Sequence, residues 1–241
     1  MISVIDSGNT YTKIGQFING KLTKIHQKES FEEVIPIILK TRPEKLVVGS
    51  VNYSIDKIEK YIPGIPVIKI NANTPVPFRI KYKTPDTLGI DRIAVVTNAW
   101  ERMPNNNILV IDAGTCITYD FIDNNGNYLG GGISPGVDIR FRSLHEFTVN
   151  LPKVGFEESI QLIGDSTKNS ILSGVINGII SEIEGIIEKY SDKYGNLTIF
   201  MSGGYAIFFE TKIKHSIFAF PNMVLLGLYS IYKFNDRKSK I

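Results

Sequence analysis

The stretch "ISVIDSGNTYTKIG", residues 2–15, places an apolar run directly before an acid and a small polar turn. Residues 2–5 are typical of a buried strand, Asp6 ends the run, and a second β-branched stretch covers about residues 13–18. Taken alone, the pattern has two interpretations. The turn is either an ordinary hairpin or a phosphate-binding loop, because Gly8 allows backbone N–H groups to approach an anion closely.

A second copy of this pattern occurs later in the chain. "SVIDSGNTYT" (3–12) and "LVIDAGTCIT" (109–118) share the same apolar-Val-Ile-Asp-small-Gly order, and Thr12 and Thr118 stand at the same offset from Asp6 and Asp112. A repeat of this kind predicts two similar domains, which we place at residues 1–107 and 108–241. Two matching copies favour turns that bind nucleotide phosphates over two unrelated hairpins.

The rest of the chain alternates between strand-like and helix-like segments. "KLVVGSV" and "PVIKI" are typical of short buried strands, "SIDKIEKYI" between them is typical of a helix, and a long amphipathic helix is predicted to end near Gly195. This alternation predicts an α/β fold. Residues 71–92 have no periodicity, and a loop of that length inside a compact domain usually carries function. A buried helix is expected after the turn at Pro221 and Asn222.

Composition excludes several classes of function. The net charge is only +3 in 241 residues and the lysines are dispersed, so no nucleic-acid partner is expected. The single cysteine, Cys116, excludes an internal disulfide framework and fits a reducing compartment. No membrane partner is expected, and cytoplasmic localisation is predicted. The histidines lack partners at zinc-ligand spacing.

The chemistry of the two turns calls for a cation. Asp6 and Asp112 repel phosphate, so a carboxylate beside a phosphate-binding turn is useful when it holds a cation that bridges to the phosphates. The chain contains neither G-x-x-x-x-G-K-[ST] nor G-x-G-x-x-G, so the P-loop and dinucleotide solutions are not used. Gly203-Gly204 has two open interpretations, a strand-end turn or a close approach to an adenine ring.

Four motifs in order, "DSGNTYTKIG", "YKTPDTLGIDR", "DAGTCITYD" and "GGGISPGVD", resemble the type III pantothenate kinases of the actin, sugar-kinase and heat-shock chaperone superfamily. The resemblance covers nearly the whole chain. It implies two ribonuclease-H-like domains, an actin-like ATPase fold, with ATP in the cleft between them. It also implies transfer of the ATP γ-phosphoryl group to pantothenate, the first step toward coenzyme A. The implied cofactors are Mg²⁺ and a monovalent cation, K⁺ or NH₄⁺, and the implied assembly is a homodimer that completes the pantothenate pocket.

Residue roles are carried over by matching these motifs. The second ATP-phosphate turn is implied at Thr115 and the monovalent-cation site at Asp112. Asp91 matches the proton acceptor, and Thr167, in "GDSTKNSI", matches a substrate-contacting threonine. The first ATP-phosphate loop is implied at Asp6, Ser7, Gly8, Asn9, Thr10, Tyr11, Thr12 and Lys13, and the pantothenate element at Tyr82, Gly89, Ile90, Asp91 and Arg92. Cys116 departs from the alanine usual in the family, a small-for-small change.

Elementary electrostatics agrees with these roles. Asp91 is predicted to open a helix, where the first N–H groups and Arg92 keep a carboxylate ionised. The Arg92 guanidinium suits either the carboxylate of pantothenate or the transferring phosphate. Without the resemblance, the alternative interpretation of Asp91-Arg92 is a helix-start acid with a surface ion pair. Two other functions stay open: a kinase of another small hydroxylated or carboxylate substrate, and a catalytically lapsed nucleotide-binding regulator.

Overall fold

The computed structural model describes residues 1–8, 10–49 and 55–238, and these residues form two compact units. The first unit contains residues 1–104, residues 126–128 and the C-terminal stretch from residue 222. The second contains residues 105–125 and 129–221. The helices are α1 (Ile35–Thr41), α2 (Ile55–Tyr61), α3 (Ile90–Arg102), α4 (Val137–Glu146), α5 (Thr167–Tyr194), α6 (Ala206–Glu210) and α7 (Met223–Lys238).

The first unit is built on a five-stranded sheet with the order β3-β2-β1-β4-β5. The first three strands form an antiparallel meander, and the last two run parallel to the first. Their bounds are β1 (Ile2–Ser7), β2 (Thr12–Ile18), β3 (Lys21–Lys28), β4 (Lys45–Val48) and β5 (Val67–Lys69). Because β1 has a hydrogen-bonded neighbour on each side, its middle residues Val4 and Ile5 are fully buried. A further short strand, β6 (Arg79–Ile80), pairs with Asn127 and Tyr128.

The second unit repeats this topology. The first strand of this unit pairs antiparallel with the second, and the third lies beside the second. Two further strands lie on the other side of the first strand and run parallel to it. The bounds are β7 (Ile108–Ala113), β8 (Cys116–Ile122), β9 (Asn127–Pro135), β10 (Thr198–Ser202) and β11 (Phe218–Ala219). The sheet order β11-β10-β7-β8-β9 is the order β5-β4-β1-β2-β3 of the first unit, strand for strand. The α/β alternation predicted from the sequence is therefore confirmed, and the sequence repeat corresponds to a repeated topology.

The long helix α5 lies against the core of the second unit. Ile171, Leu172, Ile176, Ile179 and Ile183 are buried and belong to the same apolar cluster as β7 and β8. Among the described residues α5 is also the one helix long and apolar enough to cross a membrane by length and composition. A core helix passes the same test, and the buried isoleucine face of α5 is the pattern of a core helix.

The last helix, α7, belongs to the first unit, whereas the sequence analysis placed it in the second domain. The predicted change of domain at residue 107 is close to the structural division after residue 104, but α7, placed by sequence in the domain 108–241, packs in the first unit against α3. The two helices pack closely, because Gly227 has no side chain. A Cβ on Gly227 would lie 1.8 Å from the Ala94 carbonyl oxygen of α3. At the other end of α7, Lys45 Nζ lies 3.0 Å from Asp236 Oδ1. Packing, which local sequence does not encode, decides where this helix lies.

The contact between α3 and α7 yields a stability prediction. Gly227→Ala forces backbone apart, so we expect it to destabilise the protein by about 1–3 kcal/mol, a fall of several degrees in Tm. Gly185→Ala is the matched control, since Gly185 also lies inside a helix but has nothing within 4 Å of an added Cβ. That variant should be neutral or stabilised by up to about 1 kcal/mol. Equal Tm values for the two variants, measured by circular dichroism, would contradict the close packing.

Candidate active site

The first acid-glycine turn is a tight hairpin between β1 and β2. In the antiparallel register Asp6 stands opposite Lys13 and Ser7 opposite Thr12. The Ser7 and Thr12 hydroxyls are 2.9 Å apart, and the Gly8 N–H donates to the Tyr11 carbonyl at 3.0 Å. Thr12 is buried, so the Ser7–Thr12 pair closes the base of the turn. The turn therefore holds a carboxylate and an ammonium group side by side on one face of the sheet.

The tip of this turn faces outward. Gly8, Thr10 and Tyr11 are exposed, and Asn9 lies outside the described residues. The first interpretation of the motif is thus confirmed: the two strands form a hairpin. It does not exclude the second, because an exposed tip of small polar residues above a fixed base is also what an anion-binding loop needs.

The second turn lies between β7 and β8. Asp112 stands opposite Thr118, the Gly114 N–H donates to the Cys116 carbonyl at 3.0 Å, and Thr115 is exposed at the tip. Six positions separate Asp112 from its partner, whereas seven separate Asp6 from Lys13. Thr12 and Thr118 are therefore equally far in sequence from Asp6 and Asp112, but they do not occupy equivalent positions in the two strand pairs. Thr118 occupies the place opposite the acid that Lys13 has in the first turn.

Two glycines hold the backbone of the second turn. Gly136 lies so close that an added Cβ would be 2.4 Å from the Gly114 oxygen and 2.3 Å from the Thr115 oxygen, and its N–H donates to the Thr115 carbonyl at 3.1 Å. On the other side Gly203, with φ +94°, would place a Cβ 2.3 Å from the Ala113 oxygen. Gly203 therefore lies at a strand-end turn, as one interpretation expected. Both contacts require glycine, so the shape of the turn is fixed from two directions.

A network of half-buried polar groups fixes the chain just before Gly136. Arg140 pairs with Glu182, and its Nε donates to the Pro135 carbonyl at 2.8 Å. Burial by itself would raise the pKa of Glu182, but hydrogen bonds from Arg140, Ser134 and Tyr119, with the Arg140 charge, hold it below its ordinary value. The carboxylate is therefore ionised at neutral pH and keeps Arg140 on the Pro135 carbonyl, next to the turn.

Asp120 is the residue that sequence reasoning missed. It is fully buried and accepts a hydrogen bond of 3.0 Å from the Thr118 hydroxyl. Because residues two apart on a strand and residues paired across a sheet share a face, Asp112, Thr118 and Asp120 lie on one face. The signal was present, since Asp120 ends the motif "DAGTCITYD", but its role depends on a register that the motif alone does not give.

These three side chains fit a cation. All three supply oxygen, the donor that Mg²⁺, K⁺ and similar hard cations take in proteins. A buried carboxylate also needs a compensating positive charge or hydrogen bonds. Among the described residues no group of three or more His, Cys, Asp or Glu side chains suits a metal, so a cation here would need the Thr118 hydroxyl or main-chain oxygens as well.

The predicted substrate element is assembled within the first unit. Gly89 is the N-cap of α3, and the backbone N–H of Arg92 donates to Asp91 Oδ1 at 2.9 Å. A Cβ on Gly89 would lie 2.3 Å from the same Oδ1, so this glycine leaves room for the carboxylate to fold over the helix start. Ile90 is buried and anchors the turn. The positive end of the helix dipole therefore faces the Asp91 carboxylate.

Arg92 and Tyr82 meet at the same place. The Arg92 guanidinium is buried, and its Cζ lies 5.8 Å from the centroid of the Tyr82 ring, within the range of a cation–π interaction. The Tyr82 ring in turn lies 6.3 Å from the ring of Tyr128. The surface-ion-pair interpretation of Arg92 is thus wrong, because this side chain is inside the unit and against an aromatic ring. Sequence reasoning did not identify Tyr128.

Thr167 belongs to a different unit from this element. It is the exposed first residue of α5, and the preceding Ser166 caps the helix by accepting a hydrogen bond of 3.2 Å from the Asn169 N–H. Thr167 belongs to the second unit, whereas Tyr82 and residues 89–92 belong to the first. One unit by itself therefore does not assemble the whole predicted substrate set.

Comparison with solved structures defines the class of protein. A proposed Baf family transcriptional activator from Campylobacter jejuni superposes with a TM-score of 0.67 at 22% identity, covering 98% of this chain and 99% of that one. A ROK family protein from Streptococcus pneumoniae, solved with sucrose, gives a TM-score of 0.52 at 14% identity, covering 98% and 99%. At these identities the likeness concerns the fold. Together with the repeated sheet order, it confirms the predicted two-domain, actin-like ATPase fold.

Sequence comparison defines the family. The family model described as type III pantothenate kinase matches residues 2–189. Proteins named type III pantothenate kinase from Phocaeicola vulgatus and Christiangramia forsetii are 40% and 43% identical over 238 and 237 residues. These alignments cover 97% and 96% of this chain, and 98% of each relative. The chain belongs to the type III pantothenate kinase family, as its four motifs predicted.

The Gly136 contact yields a prediction for the second turn. We expect Gly136→Ala to displace the Thr115 turn, to destabilise the protein by about 1–3 kcal/mol and to weaken binding of a non-hydrolysable ATP analogue by about tenfold or more. Gly155→Ala is the control, because an added Cβ at Gly155 has nothing within 4 Å. Thermal unfolding and titration calorimetry measure the two effects. Wild-type binding by Gly136→Ala would show that the turn does not depend on this contact.

Proposed function

We propose that this protein transfers the γ-phosphoryl group of ATP to the primary hydroxyl of pantothenate, the first step toward coenzyme A. One observation carries the proposal: the match to relatives named type III pantothenate kinase runs over nearly the whole length of both chains. The Tyr82 and Gly89–Arg92 element, assembled at the start of α3, supports the choice of substrate. The chain has retained the acids Asp6, Asp91 and Asp112, which favours an active enzyme over a lapsed one.

Asp91 is the proposed proton acceptor. Its carboxylate lies at a helix start, where it accepts a hydrogen bond from the Arg92 N–H at the positive end of the helix dipole. A carboxylate held there can orient the attacking hydroxyl and take its proton as the bond to phosphorus forms. For bases of this kind the contribution is about 10²- to 10⁴-fold. Phosphoryl transfer has a loose transition state, so orientation contributes as much as basicity.

Arg92 and Tyr82 are proposed to bind pantothenate. A guanidinium fork matches the carboxylate of the substrate, and the Tyr82 ring limits where the buried guanidinium can turn. Gly89 and Ile90 shape the same turn. Thr167 is proposed as a further substrate contact from the second unit.

The two turns are proposed to bind the phosphates of ATP. In the first turn, residues 6–13, Gly8 and Thr10 are exposed, and Lys13 places a positive charge beside Asp6. In the second, Thr115 is an exposed residue at the tip of the turn, where a phosphate is proposed to bind. Mg²⁺ is usually held by one or two carboxylates together with substrate phosphates, a role that suits Asp6. When bound, it neutralises charge on the transferring group.

A monovalent cation, K⁺ or NH₄⁺, is proposed at Asp112. The oxygen set of Asp112, Thr118 and Asp120 supports this assignment, because carboxylate and hydroxyl oxygens are donors that hard cations take in proteins. Asp112 is the penultimate residue of β7, just before the Thr115 turn, so a charge held there would favour phosphate at that turn.

The homodimer is a proposal that exposed apolar residues of the second unit support. Phe147, Val149, Leu162 and Ile163 are 84%, 97%, 81% and 80% exposed, which is unusual for large apolar side chains. They occupy the segment between α4 and α5, just before Thr167. Burial of this segment by a second copy would remove their apolar surface from water. Cytoplasmic localisation, with no membrane or nucleic-acid partner, is proposed with it.

The assembly is tested by light scattering coupled to size exclusion. We expect a mass twice that of the 27.0 kDa chain, and a monomer for the double variant Phe147→Ser, Ile163→Ser, because the apolar gain of association is lost. Ile207→Ser is the matched control, since Ile207 is also 62% exposed in the second unit but lies outside the 147–163 segment. A monomeric wild type, or a dimeric double variant, would contradict this assembly.

The activity is tested by following ADP release with ATP, Mg²⁺, K⁺ and pantothenate. We expect release that depends on pantothenate, and a loss of kcat of about 10²-fold or more in Asp91→Asn, since the amide cannot accept the proton. Asp86→Asn is the control, because Asp86 is exposed in the same loop and makes the same charge change. Circular dichroism confirms that both variants are folded.

The same assay separates the two alternatives. Release with a sugar or acetate but not with pantothenate would identify another kinase of this superfamily. Binding of ATP with no turnover of any acceptor would identify a nucleotide-binding regulator. Wild-type kcat in Asp91→Asn would remove Asp91 as the base while leaving the activity itself intact.

A further inference from the structure

A cavity of about 410 Å³ lies within the first unit, and none of its lining residues belongs to the two turns or to residues 82–92. Its walls come from the β2–β3 turn, the C-terminal end of α3 and one face of α7. The volume falls in the range of small-molecule sites, about 300–1,000 Å³. We name it the basic pocket, and the side chains that define it are Asn98, Glu101, Arg102, Tyr229, Lys233 and Arg237.

Positive charge dominates the basic pocket. Arg102, Lys233 and Arg237 line it, and Glu101 is its one carboxylate among the described residues. Glu101 accepts a hydrogen bond from the Ser230 hydroxyl of α7, which stabilises that carboxylate within the wall. The pocket therefore carries two more positive than negative charges, and its potential favours an anion.

The charges form stripes on neighbouring helices. Tyr229, Lys233 and Arg237 follow one another at four-residue spacing on α7, so they share a face. Asn98 and Arg102 have the same spacing on α3, where Arg102 Nε donates to Asn98 Oδ1 at 3.0 Å. Like charges four residues apart repel one another on a helix. Lys233 also lies before the last turn of α7, so compensation of the helix dipole does not account for it.

The pocket is also shaped for specific binding. The Tyr229 ring stacks on the buried Phe17 ring with centroids 4.0 Å apart, and Lys233 Nζ lies 5.8 Å from the Tyr229 ring centroid. Burial, with a smaller contribution from Tyr232, raises the pKa of Tyr229, so its hydroxyl stays protonated. Gly20, with φ +82°, lies at the rim, where an added Cβ would be 3.9 Å from Lys233 Nζ. Charged and neutral hydrogen-bond donors therefore converge on one fixed aromatic wall.

We propose that the basic pocket binds the phosphate group of a small phosphorylated metabolite, at a site separate from the proposed kinase site. Two guanidinium groups match phosphate oxygens in pairs, and Lys233 supplies a further positive charge. The Tyr229 hydroxyl and the Asn98 amide add neutral donors. The site does not depend on the proposed function, since none of its residues belongs to the kinase element.

The test is hydrogen–deuterium exchange of the full chain with inorganic pyrophosphate and, in parallel, inorganic phosphate. We expect slower exchange in residues 98–102 and 226–237 on titration. Tighter binding of pyrophosphate would assign a diphosphate ligand, and tighter binding of phosphate a monoester. Because exchange is read by segment, anion binding at the two turns would protect other peptides and is distinguished from binding here.

Variants test whether the positively charged side chains of the basic pocket bind the anion. The double variant Arg102→Gln, Lys233→Gln should weaken the titration by about tenfold or more, whereas Lys60→Gln, an exposed lysine of α2 in the same unit, should leave it unchanged. If the double variant proves unstable, Lys233→Gln alone should weaken anion binding by about threefold or more. No protection of these segments in the wild type at millimolar anion, or equal titrations in wild type and variants, would overturn the proposal.

Discussion

Each unit depends on the burial of one central strand whose penultimate residue is an aspartate. Strands β1 and β7 have a hydrogen-bonded neighbour on both sides, and their apolar residues, such as Ile5 and Ile111, have no exposed surface. A strand held in this way cannot shift without losing its core contacts, so Asp6 and Asp112 are fixed where the sheet ends and the chain turns. The two turns differ in length by one residue. Because each follows a buried central strand, both nevertheless place an acid beside small polar residues.

The kinase element uses a helix start in place of a strand end. Buried residues anchor α3 on most of its circumference, and Gly227 of α7 lies against Ala94 without a side chain between them. Asp91 and Arg92 are therefore carried on a helix with little freedom to move. Preorganisation of this kind matters for phosphoryl transfer, because positioning and charge neutralisation supply most of the acceleration. Stability in the core and the proposed chemistry at Asp91 thus rest on the same packing.

Much of this arrangement could be predicted from local sequence. The repeat around Asp6 and Asp112 predicted two units of the same topology, and the helix predicted after the turn at Pro221 and Asn222 is α7. The non-periodic segment was predicted to extend through Arg92, whereas α3 begins at Ile90. Three features could not be predicted, because each depends on contacts between distant residues. They are the difference in register that places Thr118 opposite Asp112, the burial of Asp120, and the packing of α7 in the first unit. Strand pairing and helix packing are not encoded in short motifs.

The central claim is that the phosphoryl group of ATP reaches a hydroxyl of pantothenate on this protein. Phosphorus NMR of a mixture of the protein, ATP, Mg²⁺, K⁺ and pantothenate observes the transferred group itself. We predict a new phosphomonoester resonance that grows in step with ADP and is absent when pantothenate is omitted. Formation of ADP with inorganic phosphate alone, or no change in the ATP resonances with folded protein, would contradict the account.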